Sequence, residues 1–231
     1  MLVDDRTFDV GRVFYEKLRD LCADSVVTCP HARHRGQRRM LQPAFQTTRI
    51  TGYAKIMPAH SWRRRPTGSW RDAQRARRTW RSCPSRTETI TETIRMRSAA
   101  WMTTRTVSTR VTVAGRELEP GTTLVSSPYT IHSRPDLFDQ PQQFSPDRWL
   151  PENAASLPRG TFVGYGHGAR RCIGDEYGMQ GTALALATIA VRWPLELARE
   201  TDSRPLVTGP ALRPRSLHLR LHARPTPSDT A

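Results

Sequence analysis

The residues most able to do chemistry lie between Phe162 and Gly178, in the stretch FVGYGHGARRCIGDEYG. Gly164, Gly166 and Gly168 lead to a single cysteine, Cys172, which follows Arg170 and Arg171 and precedes Gly174. Glycines at such an approach reach dihedrals closed to other residues and let the backbone pass close to something flat or bulky. The run MQGTALALATIAV that follows is rich in Ala and Leu and has no proline, so it reads as a buried helix. Asp175 and Glu176 suit the start of that helix. Cys172 thus stands just before free helical N–H groups, which favour a thiolate over a thiol. A thiolate so placed is a soft metal ligand or a nucleophile.

Four readings compete for the loop. A nucleophile needs a base, and His167 is near in sequence, but a base usually comes from elsewhere in the fold. A dinucleotide-binding turn needs G-x-G-x-x-G after a strand and an acid about 20 positions on, whereas here that stretch is apolar. A glycine loop around an inert buried cysteine is the plainest reading. The fourth is a single thiolate ligand to haem iron, with an arginine beside it for an anionic edge of the cofactor.

At these residues the loop resembles the haem-binding signature of the cytochrome P-450 family, an aromatic followed by G-x-G-x-R-x-C-x-G. It is carried here by Tyr165, Gly166, Gly168, Arg170, Cys172 and Gly174. The family usually has Phe where this chain has Tyr165. The resemblance implies haem b as cofactor, with Cys172 as the axial ligand to iron. Tyr165, Gly166, Arg170 and Gly174 are then expected to contact the haem.

The elements that must position this loop follow the same family order. In HARHRGQRRMLQPAF, Pro30 suits the start of a helix and Pro43 its end. His34 and Arg38 are i,i+4, so on a helix they share a face and can reach one anionic group together. Without the resemblance, a basic helix reads as a solvated face. With it, the segment is similar to the family's H-x-x-x-R, whose His and Arg contact a haem propionate. In TETITETIRMRSAAW, Glu92 and Arg95 are i,i+3 on a helix and able to pair. This resembles the family's E-x-x-R helix, and FSPDRW places Arg148 where a third member of the buried network is expected. We assign Glu92, Arg95 and Arg148 to holding the fold, since a buried Glu with two Arg must be fully hydrogen-bonded.

Strand patterns then run from Trp101 to Ser127. They comprise Val111–Val113, a turn at Ala114–Gly115, Leu118, a turn at Pro120–Gly121, and Thr122 to Ser126. Arg105 falls where the family places another propionate-binding Arg; a plain surface role is the alternative. Leu217, Leu219 and Leu221 alternate with polar residues as in a strand. The expected fold class is mainly α with a small β portion, a partial cytochrome P-450-like fold.

Composition bounds the rest. The chain has 231 residues, 18 prolines and 37% apolar residues, allowing one or two domains with part of the chain poorly packed. Its charge of +15 is nearly all arginine, since Lys17 and Lys55 are the only lysines. Such a balance suits nucleic acid, anionic lipid or an acidic partner, or reflects GC-rich coding. The four cysteines form no zinc pattern or disulfide framework, and neither a signal peptide nor a membrane span is legible, so a reducing cytoplasm is expected.

We divide the chain into an N-terminal helical segment (1–61), an Arg/Trp-rich segment (62–87), a haem-binding portion (88–222) and a disordered tail (223–231). The stretch from Trp62 to Arg86 holds nine arginines, three tryptophans and one acid. Arginines interleaved with aromatics suit single-stranded nucleic acid, but out-of-frame reading of GC-rich DNA also produces this composition, and we adopt that reading. A disordered basic linker is the third reading.

The resemblance covers roughly residues 10–60 and 88–222. The family's central helix, with its acid–Thr pair for delivering protons to iron-bound oxygen, is not legible between residues 50 and 90. Three functions follow as expectations. The first is a haem-thiolate monooxygenase acting on an apolar small molecule, fed by a ferredoxin-type partner and its reductase. The second is a remnant lacking oxygen activation. The third is a basic protein that binds nucleic acid or an acidic partner; the resemblance makes it the least expected.

Overall fold

The structure is a computed structural model that describes residues 1–50, 52–53, 86–208 and 211–222. Most of the Arg/Trp-rich stretch and the tail from residue 223 lie outside the described residues. The first helix, α1 (Arg12–Cys22), buries Tyr15. Arg19 in its last turn donates to the Thr28 carbonyl from Nε (3.1 Å) and Nη2 (2.9 Å), which fixes the return of the chain. The basic helix α2 (His31–Leu41) follows Pro30 and ends two residues before Pro43, which sits inside a 3₁₀ turn at Gln42–Phe45. Proline's fixed φ suits both places. His34 is the buried residue of α2.

Helix α3 (Arg86–Met96) carries Glu92 and Arg95. It is followed by the strands expected from the sequence. Strand β2 (Thr103–Val107) pairs antiparallel with β1 (Phe8–Asp9), Phe8 opposite Val107. On its other side it pairs with β5 (Thr123–Ser126), Thr103 opposite Ser126. Strands β3 (Val111–Val113) and β4 (Arg116–Leu118) form a hairpin. Its turn residues Ala114 and Gly115 have φ of 49° and 77°, the doubly positive pattern of the tight turn that matches strand twist.

Ser127 caps the short helix α4 (Pro128–His132) by accepting from the Thr130 amide. The arginine-bearing turn is a 3₁₀ turn, Pro146–Trp149. The long helix α5 (Asp175–Arg192) begins with Asp175 and Glu176, as a helix dipole favours. The remaining strands form two ribbons, β6 (Leu195–Leu197) with β9 (Leu219–Leu221), and β7 (Asp202–Thr208) with β8 (Ala211–Ser216).

Two expectations change. The apolar run of α5 is buried along one stripe only, Ala183, Leu184, Ala187 and Thr188, while Thr182, Ala185 and Leu186 are exposed. An Ala-rich run has no strong hydrophobic period, so the sequence does not say which face is covered. Leu219 and Leu221 do lie in a strand, but they are exposed, and Leu217 precedes it. Among the described residues no helix is long and apolar enough to cross a membrane.

The interior is organised by Glu92, which is fully buried. Its carboxylate accepts from Arg95 Nε and Nη2, both at 2.8 Å, from the Ser145 amide at 3.0 Å and from Trp149 Nε1 at 2.8 Å. Burial by itself pushes the carboxyl pKa up, but these bonds outweigh it and hold the group below its ordinary value. Arg95 Nη1 donates to the His132 carbonyl (2.8 Å), and Nη2, already on Glu92, also reaches the Gln143 carbonyl (3.3 Å).

Arg148, expected as the third member, is a looser one. Its Nε lies 3.7 Å from Glu92 Oε1, beyond hydrogen-bond reach, and has no hydrogen-bond partner. Its guanidinium stands over the Phe138 ring at 5.8 Å. The neighbouring Trp149 supplies the bond that Arg148 does not.

The network ranks its members. Glu92→Ala leaves Arg95 buried and unpaired, so it should cost about 3–5 kcal/mol, read as a lower urea midpoint. Arg148→Ala removes no hydrogen bond to Glu92, and its midpoint should fall least of all. An Arg148 loss as large as that of Glu92 would contradict the geometry.

Candidate functional site

The cysteine loop is built by glycine and closed by backbone bonds. Gly166 and Gly168 have φ of 74° and 70°, in the region L-residues avoid. At Gly168 a Cβ would lie 2.3 Å from the Leu2 carbonyl oxygen, so the N-terminus also forbids a side chain there. The Gly166 amide donates to the Val163 carbonyl at 2.9 Å, and the Cys172 amide to the Tyr165 carbonyl at 2.8 Å. This pair of bonds turns the chain so that Cys172 is exposed, two residues before Gly174 caps α5. A built Cβ on Gly174 would be 3.4 Å from the Phe45 ring, which brings the turn after α2 against the loop. Tyr165 is half-buried, and its phenol pKa is pushed up by burial and then by the negative charges of Asp175 and Cys172.

Cations gather on one side of this loop. Arg38 Nη1 donates to the Arg171 carbonyl at 2.6 Å, joining α2 to the residue before Cys172. The Arg170 side chain is nearly covered, donating from Nη1 to the Cys29 carbonyl (2.9 Å) and from Nη2 to Asp9 Oδ1 (2.8 Å). Its Nε is buried without a partner. His34 is 3% exposed and its pKa is lowered to about 4, by burial first and then by the charges of Arg170 and Arg38. No hydrogen bond reaches its ring among the described residues.

The structure thus brings His34, Arg38 and Arg170 together beside the loop that carries Cys172. Arg105 is held apart. It is buried on β2, where its Nη1 donates to the Thr104 carbonyl (2.7 Å), Thr103 Oγ1 (3.1 Å) and the Tyr15 hydroxyl (3.3 Å). Its neighbour Thr106 is the cross-strand partner of Asp9, so Arg105 belongs to the same corner without sharing a bond with the others.

One positioning residue had no signal in the sequence. His132 is fully buried and stacks on Phe162 at 5.2 Å with rings 10° from parallel. Its Nε2 accepts from the Val163 amide at 3.0 Å. Its Nδ1 therefore carries the proton, with Ser98 Oγ (3.0 Å) and the Arg95 carbonyl (3.2 Å) as acceptors. His132 so links the Glu92 network to the backbone that enters the cysteine loop. A lone histidine in a short helix has no local pattern to announce this.

An exposed cysteine beside two arginines, one of them nearly covered and with an unpartnered nitrogen, suits a planar metal-bearing group with anionic arms. The comparisons with known proteins point to one family. A family model described as Cytochrome P450 matches residues 82–220. The chain is 39% identical over 148 residues to a pentalenene oxygenase of Streptomyces avermitilis, covering 63% of this chain and 33% of that protein. It is 42% identical over 126 residues to a cyclooctatin synthase of Streptomyces melanosporofaciens, covering 52% of this chain and 28% of that protein. The matched stretches therefore span about a third of these relatives. The crystal structure of the cytochrome P450DA heme domain shares the fold with a TM-score of 0.60 at 18% identity, over 80% of this chain and 39% of that one.

Acid should loosen the loop's support. The pKa of His132 is lowered to about 4, by burial first, so folding requires its neutral form. Its contribution is complete above the ordinary value of about 6.5 and is lost as pH falls toward 4. His34 behaves alike. Urea midpoints should therefore fall between pH 7 and pH 5. In His132→Gln the pH 7 stability should drop, and the proton uptake on unfolding near pH 5 should fall from about two to about one.

Proposed function

The chain belongs to the cytochrome P450 family, and from that premise we propose that it binds haem b through Cys172 and acts as a monooxygenase on an apolar small molecule. The observation that carries the reading is the exposed Cys172 on a glycine-built turn, with Arg38 and the nearly covered side chain of Arg170 at its side. Cys172 is assigned as the iron ligand. His34, Arg38, Arg105 and Arg170 are assigned to the propionates, and Tyr165, Gly166 and Gly174 to the surface the macrocycle lies against. The unpartnered Nε of Arg170 and the neutral ring of His34 each have a hydrogen to offer an anionic oxygen. The chemistry a bound haem supplies is the splitting of molecular oxygen with transfer of one atom to substrate.

The remaining roles belong to the chain. Gly166 and Gly168 keep side chains out of the turn, so the sulfur can be approached by a flat group. The closing bond from the Cys172 amide to the Tyr165 carbonyl holds the sulfur in place. The similarity to a pentalenene oxygenase supports an oxygen-inserting reaction on an apolar substrate. A ferredoxin-type protein with its reductase is the electron source we assign, and the cytoplasm the location.

A second reading, haem binding without turnover, rests on the sequence between residues 50 and 90, where the family's acid–Thr helix is not legible.

One preparation separates these readings. The purified chain, given haem and reduced under carbon monoxide, should show the red-shifted Soret band of thiolate-bound iron. Cys172→Ser should abolish the band, and Cys22→Ser should leave it. A band that persists in the Cys172 variant removes the iron-ligand assignment. A band without product formation from electron donor, oxygen and an apolar test substrate favours the second reading.

A further inference from the structure

Asp9 lies at the end of a two-residue strand far in sequence from the cysteine loop, yet three separate parts of the chain meet on its carboxylate. Oδ1 accepts from Arg170 Nη2 at 2.8 Å and from the Val10 amide at 2.7 Å. Oδ2 accepts from the His31 amide at 2.8 Å. His31 is the first residue of α2, whose Ncap Pro30 offers no side-chain cap. Its amide is one of the donors a helix start leaves unsatisfied, and a carboxylate there is favoured by the helix dipole. The other oxygen of the same group holds a guanidinium whose side chain is 5% exposed.

We infer that Asp9 is the positioning residue that fixes α2 and the cysteine loop relative to each other, and that it does so through Arg170. The helix it caps carries His34 and Arg38, and the guanidinium it grips belongs to the loop of Cys172. With Nη2 on Asp9 and Nη1 on the Cys29 carbonyl, Arg170 is anchored on two sides, so its free Nε has one direction in which to meet an anion. A planar guanidinium held at two nitrogens cannot swing, unlike a lysine ammonium. Asp9 also leaves the corner less positive, because one carboxylate faces the charges of Arg170, Arg38 and any protonated His34. Its role toward haem rests on the reading above; its role in joining α2 to the loop does not.

The test is a double-mutant cycle with Asp9→Ala, Arg170→Ala and the double variant, repeated with Asp9→Asn in case the alanine variant does not fold. In the cofactor-free chain, urea midpoints should be non-additive, with Asp9→Ala costing much less once Arg170 is gone. Haem and its propionate dimethyl ester are then titrated into each protein. Asp9→Ala should weaken haem binding about tenfold and diester binding far less, and Arg170→Ala should erase that difference. Asp9→Asn, which keeps an oxygen for the His31 amide, should fall between. Additive midpoints, or equal losses for haem and diester, overturn the inference. A wild-type chain that shows no thiolate band removes the haem reading alone, since the cofactor-free cycle decides the Asp9–Arg170 coupling by itself.

Discussion

A carboxylate without access to water must be met by donors on its open sides, and Glu92 places that demand on several distant stretches of chain. It takes two bonds from Arg95 one helical turn away, one from the backbone at Ser145 and one from the Trp149 indole. Arg95 in turn reaches the carbonyls of His132 and Gln143. A buried ion pair is not a cheap source of stability, because its desolvation cost rivals its attraction. What it supplies is geometry. Helix α3, the short helix α4 and the turn at Pro146–Trp149 can satisfy these atoms in one arrangement only.

That arrangement extends to the reactive loop through stacked rings. Trp149 packs edge-on to Phe162 at 5.0 Å, and Phe162 stacks on His132. His132 then accepts the Val163 amide, and the Val163 carbonyl accepts from Gly166. From Glu92 to the glycine turn the links alternate between hydrogen bonds and ring contacts, and each is buried or half-buried. Close-packed interiors transmit displacement rather than absorb it. The position of Cys172 therefore depends on a carboxylate that never touches it.

Part of this design was legible in the sequence. Cys172 and its glycines announced themselves because few residue types suit a positive φ, and Ala114–Gly115 marked the hairpin for a related reason. The i,i+4 spacing of His34 and Arg38 survived because helical periodicity is local. Trp149 was not legible as a partner of Glu92, since an indole N–H finds its acceptor only after the fold joins residues 57 apart. Arg148 was expected from the resemblance of FSPDRW to the family's turn, and the tryptophan beside it makes the closer contact with Glu92. Asp9 was invisible for the same reason, being joined to Arg170 across 161 residues. The half-exposed α5 was misjudged because alanine contributes little to a hydrophobic period. The Arg/Trp-rich stretch gave composition without pattern, and most of it lies outside the described residues.

The electrostatics of the corner would also set the affinity of the proposed site for an anion. Two arginines and a histidine share a partly water-excluded space in which Asp9 and Asp5 offset the positive charge felt by His34. Burial first, and then the charges of Arg170 and Arg38, keep the histidine neutral, with its pKa lowered to about 4. A neutral imidazole spares the fold a third cation while keeping an N–H to donate. An anionic oxygen arriving there would remove part of the repulsion and draw the His34 pKa back up, so binding and protonation help each other. Stability in the empty site and affinity in the filled one are thus opposed through the same charges. Glu92 lies outside that conflict. Its charge is already matched by Arg95, so the frame that holds the loop does not depend on whether the corner is occupied.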